Sequence, residues 1–118
     1  MGLQSIKLLD AVNAVTNGSE VKIGAAQNLD FAIVLSDALE SGETCTVELQ
    51  YKAAGDIWVP FKKFDLTDAS PLVTRHNESN ARGFDTIRAA VTAETFNAET
   101  VTVTMNWRTP GPAAIERF

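Results

Sequence analysis

The chain has 118 residues, 45% of them hydrophobic and 21% charged, which suits one globular domain with a core of its own and argues against wholesale disorder. Its net charge is −5 and its pI about 4.7; Lys62-Lys63 is the only adjacent basic pair and the other basic residues are scattered, which argues against direct nucleic-acid binding, since phosphate backbones require clustered cations. One cysteine, Cys45, rules out an intrachain disulfide, and no apolar run approaches the ~20 residues of a membrane span.

The opening "MGLQSIKLLDAV" has no long apolar stretch ahead of a small-residue cleavage site and does not read as a signal peptide. In "SIKLLDAVNAV", Ile6, Leu9 and Val12 fit helical spacing, but Asn17-Gly18 follows directly and favours an extended strand. Both turn residues tolerate positive φ, so a hairpin is expected between this strand and "VKI". Phe31, Ile33 and Leu35 of "FAIVL" point one way, as do Cys45, Val47, Leu49 and Tyr51 of "CTVELQY", with the polar loop "SDALESGE" and its Gly42 between them. Such alternation is the pattern of a half-buried strand. Cys45 falls in the apolar phase and reads as a small core residue.

Gly55-Asp56 closes a hairpin onto "IWVPFKKF", where Pro60 demands an edge strand or a bulge. Strict alternation sets Trp58 opposite Ile57, Val59 and Phe61; either a bulge near Pro60 turns it inward or it is exposed and able to anchor an interface or stack on a sugar. Pro71 and the polar run "RHNESNARG" (Arg75 to Gly83) are expected to form the longest loop. "TIRAAV" is a further strand, and "VTVTMNW" alternates Val101, Val103, Met105 and Trp107 against Thr102, Thr104 and Asn106. Strands recurring about every ten residues between such turns predict an all-β, antiparallel β-sandwich, jelly-roll or Ig-like. Residues 1–108 form this domain, and 109–118, "TPGPAAIERF", leave it as an extended C-terminal arm. No internal repeat, linker or low-complexity tract interrupts the chain.

The search for chemistry finds no metal motif, no nucleophile elbow and no glycine-rich phosphate loop, so no catalytic, metal or cofactor residues are assigned. His76, the only histidine, reads as a solvated loop residue. Asp37, Glu40 and Glu43 share one loop, and Asp65 and Asp68 another; either set offers oxygens to calcium, but the prevailing reading is solvated acidic loops. A glycosidase carboxylate pair is defined by separation in space, which sequence does not give, and a chain of this size without a deep insertion has little room for a cleft.

The succession "LLDAV", "FAIVL", "CTVELQYKAAGDIWVPFKKFDLT", "FDTIRAAVT" and "ETVTVTMNW" resembles small β-sandwich structural proteins encoded among tailed-phage head and tail genes. Trp58-Val59, Phe64-Asp65-Leu66-Thr67, Phe84 with Ile87-Arg88-Ala89, and Val101 to Thr104 carry the likeness, which runs from about Leu8 to Asn106. The resemblance implies a capsid decoration or cement protein that is made in the host cytoplasm and attaches to the outer capsid surface. Its partner would be the major capsid protein, and its assembly a homotrimer, with no nucleic acid, membrane or cofactor involved. On that reading the arm offers Ile115, Arg117 and Phe118 as anchors, with Trp58 as a further interface candidate. The alternatives are a tail, neck or fibre component and a carbohydrate-binding adhesion module; an enzyme comes last.

Overall fold

The computed structural model describes residues 3–23, 28–79, 84–96 and 98–108. Every element among them is a strand: β1 (Leu3–Val12), β2 (Thr16–Asn17), β3 (Val21–Lys22), β4 (Leu29–Leu35), β5 (Cys45–Lys52), β6 (Trp58–Leu66), β7 (Val73–Glu78), β8 (Thr86–Glu94) and β9 (Val101–Arg108). They form two sheets, ordered β1-β9-β4-β7 and β2-β8-β5-β6, with β3 also paired to β8 and all pairs antiparallel. β2 and β3 lie end to end along β8 and make one interrupted strand. Counted so, the described residues form eight strands, and the chain passes from one sheet to the other at each connection between them except the β5–β6 hairpin. That wrapped order is a jelly roll, not an Ig fold.

The core is the sum of the inward phases read from the sequence. Phe31, Ile33 and Leu35, then Cys45, Val47 and Leu49, then Val101, Val103 and Met105 are all buried, and Trp107 joins them. β8 runs between β5 and the interrupted β2/β3 strand, and its Ile87, Ala89 and Val91 fill the same layer.

Two sequence expectations fail here. Asn17-Gly18 is not a hairpin turn: β1 and β2 belong to opposite sheets, and Gly18 sits at the break between β2 and β3. Its N–H donates to the Ala89 carbonyl at 2.8 Å while the next residue, Ser19, donates to the Leu8 carbonyl at 3.2 Å. Glycine is needed for space, since a Cβ at this position would press into the Leu8 carbonyl oxygen and lie 2.6 Å from that of Ala89. The expected loop from Arg75 also begins as strand through Glu78, because β7 pairs residue by residue with β4 from Leu29↔Glu78 to Val34↔Val73; positions 80–83 of it lie outside the described residues. An edge strand with only one half-covered face carries little apolar signal, so its composition looked like a loop.

The predicted hairpin at Gly55-Asp56 is present. Ile57 N–H donates to the Ala54 carbonyl, and Gly55, at the first central position, has φ +57°, as a type II′ turn favours. Pro60 lies on the edge strand β6 beside a bulge between the Leu49↔Lys62 and Gln50↔Pro60 pairs. β1 is extended as expected, with two register shifts that turn Leu8 and Leu9 both inward. At the second, Ala11 takes φ +52°, and its N–H donates to Thr102 Oγ1 at 3.0 Å.

Two outcomes follow from this packing. Val103→Asp buries a carboxylate with no partner and should cost more than about 4 kcal/mol, whereas Thr102→Asp on the opposite face keeps an acceptor and should cost about 1 kcal/mol or less; thermal melts compare them. Gly18→Ala should cost roughly 2–3 kcal/mol through overpacking, a loss that a surface Gly→Ala change would not show in chemical denaturation.

Candidate functional site

The outer face of the β2-β8-β5-β6 sheet carries a set of hydrogen-bonded and ion-paired side chains around an aromatic ring. β5 presents Thr46, Glu48, Gln50 and Lys52 outward, and the pairing sets Lys52 opposite Trp58 and Gln50 opposite both Pro60 and Arg88. The Arg88 guanidinium lies 4.2 Å from the centre of the Trp58 ring, and Lys52 Nζ lies 5.7 Å from it. Arg88 Nε–H donates to Gln50 Oε1 at 2.7 Å, and Gln50 Nε2–H donates to Glu48 Oε1 at 2.9 Å. Lys52 is shared between Glu20 at 3.4 Å and Asp56 at 3.7 Å. Each member is therefore held before any ligand arrives, which lowers the entropy lost on binding.

Trp58 is thus half-buried on the outer face, outside the core. The bulge foreseen near Pro60 exists but falls after Trp58 in the chain, so it does not rotate the indole inward. Val59 and Phe61 face the interior side, then the phase slips and Phe64 and Leu66 resume it. Lys62 and Lys63 are consequently both exposed, and with Glu48, Pro60 and Phe61 they line a shallow groove beside the tryptophan. Ile115, Arg117 and Phe118 lie outside the described residues.

His76 is not a solvated loop residue. It sits on β7, half-buried, with its ring 6.2 Å from Phe31 and 5.9 Å from Phe64, and its Nε2 is 3.1 Å from Glu78 Oε1. The aromatic layer continues from Phe31 through Phe61 to Phe84, which stacks on Tyr51 at 4.5 Å. These rings fill the side of the sandwich between edge strands β6 and β7. This placement assigns His76 a packing role.

The acidic residues regroup. Asp37 turns back to accept the Ala38 N–H at 2.8 Å, and Asp65 accepts the Thr46 hydroxyl at 3.1 Å. Glu40 and Glu43 instead meet Glu99, with an oxygen from each lying within 4.8 Å of the others. Glu43 and Glu99 are only 8% exposed, so the expected solvated loop is not what forms. Glu99 was missed by sequence reasoning, although it falls in the inward phase of Val101 and Val103; Glu43 likewise precedes Cys45 in phase. Cys45 is fully buried as expected, and desolvation, reinforced by the Glu94 carboxylate, pushes its thiol up to about 11.

Fold and site together define a jelly-roll domain with a pre-ordered tryptophan platform on one sheet. The crystal structure of the SPBc2 prophage-derived protein YomS has the same fold, with a TM-score of 0.62, 12% identity, and coverage of 90% of this chain and 92% of that one. No protein-family model matches the chain, and no curated protein matches its sequence.

Because its thiol is raised to about 11, Cys45 should be thiolate in roughly one molecule in a thousand near pH 8. Iodoacetamide should therefore label the native chain at least about a hundredfold more slowly than the denatured chain, as followed by mass spectrometry. Equal rates in the two states would contradict both its burial and its raised pKa.

Proposed function

We propose that this chain is a phage capsid decoration protein, which binds the outer surface of the shell through contacts with the major capsid protein, acts as a trimer and stabilises the assembled particle. The observation that carries the reading is the jelly-roll fold shared with a prophage-derived protein over nearly the whole of both chains. Jelly rolls also serve as lectins and enzymes, so the fold alone does not select a role. The surface supports this choice. The tryptophan platform is a pre-ordered anchor of the kind that dominates protein interfaces, and the exposed Lys62-Lys63 pair beside it is suited to an acidic rim. The net charge of −5 keeps free copies apart before docking. On this reading the chain is a binder without catalytic function, made in the host cytoplasm and resident on the virion surface.

Binding only to intact shells would stabilise them by mass action, and three linked copies would add avidity. The test adds the full chain to purified shells that lack it. Saturable binding at fixed stoichiometry with a raised shell melting temperature is expected. Trp58→Ala, whose side chain lies outside the core, should weaken binding by roughly tenfold or more. A chain ending at Arg108 separates the contribution of the terminal arm from that of the platform. Absence of binding to shells, with binding to tail particles or to glycans on an array, would transfer the same platform to the tail, neck or fibre reading or to a carbohydrate-binding module.

A further inference from the structure

Two glutamates occupy positions that the strand pattern reserves for core residues. Glu43 stands two residues before Cys45 and Glu99 two before Val101, each in the inward phase of its strand, and each is 8% exposed. The loops that carry them are joined by four backbone-anchored hydrogen bonds. Thr44 N–H donates to Thr95 Oγ1 at 2.8 Å and Thr95 N–H to the Thr44 carbonyl at 2.9 Å. Thr100 N–H donates to Ser36 Oγ at 2.8 Å and Ser36 N–H to the Thr100 carbonyl at 2.9 Å. The carboxylates are therefore delivered to one another from fixed backbone.

Within the cluster, Glu40 N–H donates to Glu43 Oε1 at 2.7 Å, and Glu43 N–H to the Glu40 carbonyl at 2.9 Å. Glu99 Oε1 is buried and has no hydrogen-bond partner among the described residues. No described lysine, arginine or histidine forms an ion pair with any of the three glutamates. Like charges drawn together and removed from water repel strongly unless something positive joins them. Phe96 and Leu39, from the same two loops, are buried, so the backbone there is not free to swing the carboxylates apart.

We infer that Glu40, Glu43 and Glu99 form a calcium site that fastens the β4–β5 loop to the β8–β9 loop. Three oxygens within 4.8 Å of one another can all meet one ion at calcium's usual reach of about 2.3–2.6 Å after small side-chain adjustments. A hard, all-oxygen set without histidine or cysteine selects calcium over transition metals. Magnesium, which needs tighter octahedral geometry, should bind less well. Water completes the coordination, because Glu40 is exposed and keeps the site open on one side. Three protein ligands place the affinity at about 10⁻⁴–10⁻³ M, so the site fills in millimolar calcium and not at micromolar levels. The inference is independent of the capsid reading, since it concerns the far end of β5 from Trp58.

The experiment uses the full chain in chelator-treated buffer. Calorimetric titration with calcium chloride should give one site per chain, and about 10 mM calcium should raise the melting temperature by roughly 5 °C, with magnesium giving less. Glu99→Gln should abolish that rise and weaken binding at least tenfold, while in chelator it should melt no lower than the native chain, because it removes a buried repulsion. Glu40→Gln, an exposed change that cannot disturb the core, should also weaken binding, and Asp37→Asn should leave it unchanged. No heat and no thermal shift in the native chain would overturn the site. So would a Glu99→Gln or Glu40→Gln chain that binds calcium as the native chain does, or an Asp37→Asn chain that does not bind it.

Discussion

The structure depends on one constraint: two sheets must interdigitate their inward residues while the chain passes repeatedly between them. Apart from the β5–β6 hairpin, every connection crosses from sheet to sheet, so neither sheet can form a closed unit alone. The centre is held by β9 and β4 on one side and β8 and β5 on the other, whose inward side chains are almost wholly removed from water. Burying a Val, Leu, Ile or Phe side chain contributes about 1.5–3 kcal/mol, and this layer supplies the gain that offsets the entropy of ordering so many long-range pairings. Most strand neighbours lie far apart in sequence, which makes the topology slow to form but hard to open locally.

Departures from regular pairing set what the surface presents. The bulge in β6 restores Phe64 and Leu66 to the interior and, as a consequence, leaves Lys62 and Lys63 both outside beside the tryptophan. The shifts in β1 allow consecutive leucines to be buried, and the Thr102 hydroxyl compensates one N–H that the irregular ladder leaves unpaired. At the edge of the other sheet, Gly18 and Ser19 donate to carbonyls of β8 and β1 respectively, so the break between β2 and β3 ties the two sheets together. Bulges and breaks here position residues without weakening the core.

Strands with two distinct faces were legible in the sequence. "FAIVL", "CTVELQY" and "VTVTMNW" alternate cleanly because one face of each meets the opposite sheet, and their inward residues are the buried ones. β7 was not legible because it is an edge, half-covered on one face and exposed on the other, so "VTRHNE" carries no apolar rhythm. Asn17-Gly18 misled because a glycine required by close approach looks the same in sequence as one required by positive φ. Glu43 and Glu99 were hidden differently: each obeyed the inward phase, but a charged residue at a strand end is ordinarily read as the start of a loop. Their meeting depends on the pairing of Cys45 with Glu94 and on the crossing that brings Thr100 to Ser36, and neither is encoded nearby in the chain.

The two surfaces of interest lie at opposite ends of β5. Glu43 precedes the strand and Lys52, paired with Trp58, ends it; nine residues at about 3.3 Å each put roughly 30 Å between them. An ion at the glutamate end changes the charge and order of the loops there but touches none of the side chains around the tryptophan. What connects the ends is β5 itself, paired on both sides and buried along its inward face, and such a strand has no second arrangement to switch into. Calcium at one end should therefore make the domain harder to unfold while leaving the shape of the tryptophan platform as it is. Energetic coupling between the sites would require a two-state element that both could bias, and β5, the strand joining them, is the least able to serve as one.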